Sequence, residues 1–391
     1  MATANEEFLD AMIRHQIFLM RLSGGVRNDI FKLLEATEAD MKAEVLRRLK
    51  NIGDGGLTPG NVQKMQALIK VLRSMRQAAW KQAEQVWIDE MLDLAKSEPV
   101  FVAGLTKTVS PVTLSLDLPT TRQLRAIVTS RPFEGRTMRQ WARSLATTDL
   151  RRIEDAIKIG LVQNLTNQQI ASRVGAAANI SKNNAAAITR TAVNHVANQA
   201  KQDFFKANSV SFGKEMYVAT LDSNTTAICM SLDGKIFETG KGRIPPVHFN
   251  CRSIRVAILN NEILGNRPMK PVTERGLLRE FTKKEGIPTV TSRGALPRGY
   301  RGAFDKFGRQ RTRELVGTVP ASVNYQTFLT RQSTSFQNDV LGNTKGRLFR
   351  KGGLTVDNFV NRVGDELTLS QLARRHADAF TAAGLDPEDF L

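Results

Sequence analysis

The sequence predicts an α+β protein that is predominantly α-helical: a long N-terminal helical hairpin, a small α+β core, a basic extended arm and a helical C-terminal segment. Three observations carry this prediction. The chain is 41% hydrophobic but only 6% aromatic, so its core is packed with aliphatics, as in helical proteins. Apolar residues recur at helical spacing through roughly the first hundred positions. Alternating segments are few and short, at 112–119 and between 215 and 239. Composition and charge divide the 391 residues into 1–110, 111–260, 261–320 and 321–391.

Within residues 5–50 the periodic positions are Phe8, Met12, Ile17, Met20 and Leu22, then Ile30, Leu33, Leu34, Met41 and Leu46, with a break expected at Ser23-Gly24-Gly25. Thr58 reads as an N-cap with Pro59 at the first helical position. The helix it opens runs to about Lys96, some 55 Å at about 1.5 Å per residue. Such a hairpin is a rod or arm, whose apolar stripe either packs within the chain or forms a seam with a partner. Residues 112–119, VTLSLDLP, suit a short strand or an extended connection. Helices are expected at about 120–130, 136–145, 149–165, 167–175 and 182–208, the last capped by Ser181. On it Arg190, Asn194 and Asn198 share one face with Thr191 and His195. Strands over 215–222 and 234–239 then flank the loop DSNTTAICMSLDG.

The net charge is +18, yet residues 1–110 hold 15 basic and 14 acidic side chains, so nearly all the excess follows residue 110. The later part suits an anionic partner, either phosphate or an acidic protein ring. No groove-reading motif or zinc finger is visible, so nucleic-acid contact would not be sequence-specific. The densest basic stretch, 265–315, has weak periodicity and reads as an extended arm. In it Arg298, Arg301, Lys306, Arg309, Arg311 and Arg313 are the expected contacts, with Tyr300, Phe304 and Phe307 as anchors. No apolar run reaches membrane-spanning length and the N-terminus is acidic, so a soluble protein made in a cytoplasm is expected.

Only two cysteines and four histidines occur. His248 and Cys251 lie together in IPPVHFNCR, behind a double proline, and Cys229 lies in the preceding loop. Asp222, Thr225, Cys229, Leu232, Asp233-Gly234, Pro245-Pro246, His248 and Cys251-Arg252, with Arg190-Thr191 and Asn194 on the upstream helix, resemble the signature of the phage Mu F-like head morphogenesis proteins. The stretches RHQIFLMRL and YQTFLTRQSTSFQNDVLG resemble the ends of podophage members of that family. Ala192 departs from the pattern, which often has Glu there. The resemblance implies a minor head protein of a tailed bacteriophage, located in the virion head interior or at the portal vertex and assembled in the host cytoplasm. Its implied partners are the portal protein, capsid or scaffold proteins and packaged DNA. The alternatives are a non-specific DNA-binding internal virion protein or a phage-delivered enzyme.

Read as chemistry, the motif is a polar clasp. Asp222 and Thr225 can close an Asx-type turn, and Gly234 permits a tight turn. Arg252 can hold Asp222 bidentately. Arg190, Thr191, Asn194 and Asn198 can bind the loop backbone. Cys229, His248 and Cys251 admit four readings: a buried structural network, a zinc site with Asp222 or His195 as fourth ligand, a disulfide, or a Cys/His catalytic pair. The network is the expectation, with no cofactor and no catalytic role. No second histidine stands near His248 to build a metal nuclease, and no Glu-x-Glu pair of the ADP-ribosyltransferase type occurs.

Overall fold

The computed structural model describes residues 4–50, 59–110, 114–163, 165–259 and 265–391. The first helix, α1 (Ala4–Leu49), is unbroken. Ser23-Gly24-Gly25 do not interrupt it, because Leu19, Val26, Ile30 and Leu34 on either side are buried in one cluster. That burial outweighs a glycine cost of about 1 kcal/mol each. Ile17 and Met20, expected on the inward face, are exposed, and Leu19 is buried in their place. The second helix, α2 (Pro59–Val109), continues past Lys96 and through Pro99. Beyond the proline, Val102, Ala103 and Val109 bury against the rest of the chain. Thr58 lies outside the described residues.

Downstream come α3 (Thr121–Thr129), α4 (Met138–Val162) and α5 (Asn167–Ala207). Residues 114–119 form a connection without strand pairing, whereas 112 and 113 lie outside the described residues. Two pairs of expected helices are fused. Ser181 is not a cap but an interior residue of α5, and its hydroxyl donates to Asp149 Oδ1 on α4 at 2.7 Å. The same carboxylate accepts from Arg76 Nε at 2.6 Å and Trp80 Nε1 at 2.7 Å on α2, while Arg76 also donates to the Leu34 carbonyl of α1. One buried carboxylate thus ties four helices together. The α1 stripe is spent within the chain against α2, α4 and α5, so the hairpin is part of a bundle and not a free arm. Most of the stripe is thereby covered within the chain, and of its positions Ile17 and Met20 stay exposed.

The chain then forms β1 (Lys214–Val218), β2 (Leu221–Asp222), α6 (Ala227–Leu232), β3 (Ile236–Glu238), β4 (Ile254–Ala257) and β5 (Asn266–Lys270). The strand expected over 215–222 is split between two sheets. In one, β1 is central and antiparallel to both β3 and β4. In the other, β5 pairs parallel with β2 and antiparallel with β6 (Gly317–Pro320). Phe204, Phe205 and Phe212 seat the first sheet on the end of the bundle. The start of the chain is pinned to the same place, since the Asn5 amide exchanges hydrogen bonds with the Leu259 backbone.

Residues 265–315 are not an extended arm. After β5 they fold as α7 (Glu274–Glu285) and α8 (Arg298–Leu315), around a small core of Leu278, Phe281, Leu296 and Phe304. Thr273 caps α7 at its start and Gly286, at φ 66°, ends it. The helical C-terminal segment comprises α9 (Tyr325–Thr330), α10 (Thr334–Leu341), α11 (Asn343–Lys351), α12 (Leu369–Arg375) and α13 (Ala377–Ala382). Its aromatic and leucine core also takes in Leu221 of β2 and Met230 of α6. Among the described residues no helix is long and apolar enough to cross a membrane.

Candidate functional site

The α5 face read from the sequence binds the IPPVHFNCR loop through the loop's own backbone. Asn194 Nδ2 donates to the carbonyls of Cys251 (2.9 Å) and Ser253 (3.3 Å). Asn198 Nδ2 donates to Asn194 Oδ1 at 2.7 Å, fixing that amide. Thr191 Oγ1 accepts from the Asn250 N–H at 3.0 Å, and Arg190 Nε donates to Asn250 Oδ1 at 2.7 Å. Asn250 sits at φ 60°, a left-handed conformation that asparagine tolerates. The Pro245-Pro246 bond upstream is cis.

The other half of the clasp is Asp222, at the end of β2. Its carboxylate accepts both guanidinium arms of Arg252, at 2.5 and 2.8 Å, and closes an Asx turn by accepting from Asn224 N–H at 3.0 Å. Thr225 donates to the same carboxylate at 3.2 Å. Gly234, at φ 80°, leads from α6 toward β3 where a Cβ would come to 3.0 Å from Asn324. Every clasp residue expected from the sequence is therefore brought together here.

Cys229 on α6 meets His248 and Cys251 from the loop. Cys229 Sγ lies 3.2 Å from His248 Nε2 and 3.8 Å from Cys251 Sγ, and both cysteines are free thiols. His248 Nδ1 faces the Phe249 carbonyl at 2.7 Å, and the Tyr217 hydroxyl is 3.3 Å from Cys229 Sγ. The hydrogen bond from Cys229, joined by His248, holds Cys251 well below the ordinary thiol range, whereas Cys251 and burial push Cys229 above it. Burial works against the charged form of His248, but Cys251, the Phe249 carbonyl and Glu134 outweigh it and raise its pKa. Neither Asp222 nor His195 joins the group. His195 instead packs on Phe133, with ring centroids 5.3 Å apart. Burial, then the charge of Arg131, lowers its pKa to about 4.

Sequence reasoning missed a second buried lock. Asp233 accepts both arms of Arg267, each at 2.9 Å, and the Ala219 N–H at 2.7 Å. Arg267 reaches on to the carbonyls of Ala219 and Val323, and Tyr325 Oη donates to the Asp222 carbonyl at 2.6 Å. These contacts join the motif to the C-terminal segment. Asp233 stands in the quoted motif and was a visible signal; Arg267, inside a stretch that reads as an arm, gave none. A cleft of 310 Å³ opens beside the clasp between α1 and α5, with Gln16, Arg190, Asn194 and Arg252 on its walls.

The six basic residues expected to contact a partner do not act alike. Arg301 donates to the Leu296 and Gly294 carbonyls at 3.0 and 2.6 Å, and Arg311 pairs with Glu280 at 2.9 Å and Glu314 at 3.0 Å. Both hold the α7–α8 hairpin together. Arg298, Lys306, Arg309 and Arg313 are exposed. At 3.6 residues per turn they fall on one face of α8, opposite Phe304. None of these four has an ion pair among the described residues.

Residues 151–256 match the family described as Phage Mu protein F like protein. No curated protein and no solved structure matches the chain. The matched span contains every residue of the clasp and the Cys–His–Cys group. It bears out the resemblance that the motif carries.

Proposed function

We propose that this chain is a minor head protein of a tailed bacteriophage, bound to the portal or the capsid interior, where it acts in head morphogenesis and accompanies DNA ejection. The observation that carries the reading is the match over residues 151–256, the span whose residues build the clasp. Two features of the surface support a role between protein and DNA. Residues 1–110 are near charge balance, and α1 exposes Ile17 and Met20 one turn apart, apolar positions suited to protein contact. The α8 stripe presents four cations in one row, suited to phosphates. The test is co-purification with portal protein after nuclease treatment in high salt. Retention supports the portal-bound reading. Release that follows rising salt favours the alternative that the α8 stripe suggests, a non-specific DNA-binding internal virion protein. Normal, infectious heads from a phage lacking the chain would refute both.

A further inference from the structure

We propose that Cys229, His248 and Cys251 form a binding site for zinc or a similar thiolate-preferring divalent metal, with solvent in the fourth position. The three ligand atoms all lie within 4.8 Å of one another, although α6 and the loop reach this point from positions 22 residues apart. Metal–sulfur bonds of about 2.3 Å at tetrahedral angles set two sulfurs about 3.8 Å apart. The Cys229–Cys251 separation is 3.8 Å. A disulfide would instead need about 2.05 Å. The Cys229–His248 distance, 3.2 Å, is a few tenths short of the roughly 3.5 Å that a shared metal sets, a gap that a small side-chain rotation closes.

The surroundings are those of a ligand set. In the neutral imidazole, Nδ1–H donates to the Phe249 carbonyl, which leaves the Nε2 lone pair directed at the sulfurs. Fixing the tautomer through the distal nitrogen is how metal-binding histidines are oriented. The Tyr217 hydroxyl lies 3.3 Å from Cys229 Sγ, and such a donor stabilises a coordinated thiolate. Tyr217, Ala219, Ile228, Leu232, Phe237 and Val247 form an apolar wall around the group. His248, only half-buried, is the side from which solvent reaches. Binding releases the protons of the two thiols to solvent and leaves both sulfurs as thiolates. No further histidine, cysteine or carboxylate joins the group among the described residues, so water completes the tetrahedron.

The experiment is metal analysis of the full chain purified under reducing conditions from zinc-supplied cells, followed by exchange with cobalt(II). One zinc per chain is expected, and the cobalt form should show a thiolate-to-cobalt charge-transfer band. Cys229→Ser, Cys251→Ser and His248→Asn should each abolish stoichiometric binding. Since these variants can also misfold, the parent protein supplies an independent readout: both thiols should be protected from a thiol reagent until a chelator is added. Substoichiometric zinc with no cobalt band, thiols equally reactive with and without chelator, or the two cysteines recovered as a disulfide would each overturn the proposal. This outcome does not depend on which partner the protein binds.

Discussion

The clasp and the α7–α8 hairpin are both built from strongly polar sequence, yet they spend their charges in opposite directions. In the clasp, Asp233 and Arg267 are buried and paired with each other, and Glu215 faces Arg255 at 3.4 Å with both side chains inaccessible. The hairpin encloses only a small apolar core and turns Arg298, Lys306, Arg309 and Arg313 outward. The difference lies in burial. Clasp charges meet partners 30 and 34 residues away in sequence, and the carboxylates of both pairs are buried. Hairpin pairs form at the surface, as Arg311 meets Glu314 three residues on and Glu280 31 residues back. A buried pair makes its charges internal, whereas an exposed cation without an ion pair is left for another molecule.

The largest test of that contrast is Asp233→Ala. It strands the Arg267 guanidinium without its counter-ion and should cost about 3–5 kcal/mol, measured by urea unfolding. Asp305→Ala in the hairpin removes an exposed pair with Arg293 and should leave the urea midpoint nearly unchanged. Equal losses in the two variants would erase the distinction. Next in size is a pH effect at the bundle. His195 is held neutral in the fold, with its pKa lowered to about 4 from 6.5, so the unfolded chain takes up the proton first. Its contribution is complete above about pH 6.5 and is lost as pH falls toward 4, by roughly 3 kcal/mol in total. His195→Gln should flatten that slope in unfolding measured across the same pH window. The smallest effect on stability is expected from replacing Arg298, Lys306, Arg309 and Arg313 by Gln. The melting temperature should hold, while the salt dependence of DNA binding becomes shallower by about one unit of slope for each phosphate that a removed cation had neutralised. A lowered melting temperature would mean that the stripe is structural after all.

The same contrast explains which parts of the molecule were legible in the sequence. The clasp was readable because its residues are specific types at fixed spacing: Arg190, Thr191, Asn194, Asp222, Gly234 and Arg252 all sit where their chemistry suggested. Helix ends were not, because local breakers lost to tertiary burial. Gly24-Gly25 and Pro99 lie inside continuous helices, and Ser181, a good cap in isolation, is used instead by Asp149 from another helix. The hairpin at 274–315 was hidden for a related reason. Its core depends on Leu278, Phe281, Leu296 and Phe304 meeting across a turn, too few residues to impose a visible period on a run of Arg, Lys and Gly. Arg267 was illegible because nothing local distinguishes a cation destined for Asp233 from one destined for solvent.

The hydrogen bonds between Asn5 and Leu259 span 254 residues of sequence, and they set a schedule for synthesis. At about 5–20 residues per second, roughly 13–50 s pass between the emergence of the first helix and that of its last partner. During that interval Phe8, Leu9 and Met12 lack β1 and β4, against which they finally bury. The first turns of α1 therefore wait as an uncovered apolar end on the nascent chain, and a ribosome stalled before residue 254 would display that end for as long as the stall lasts.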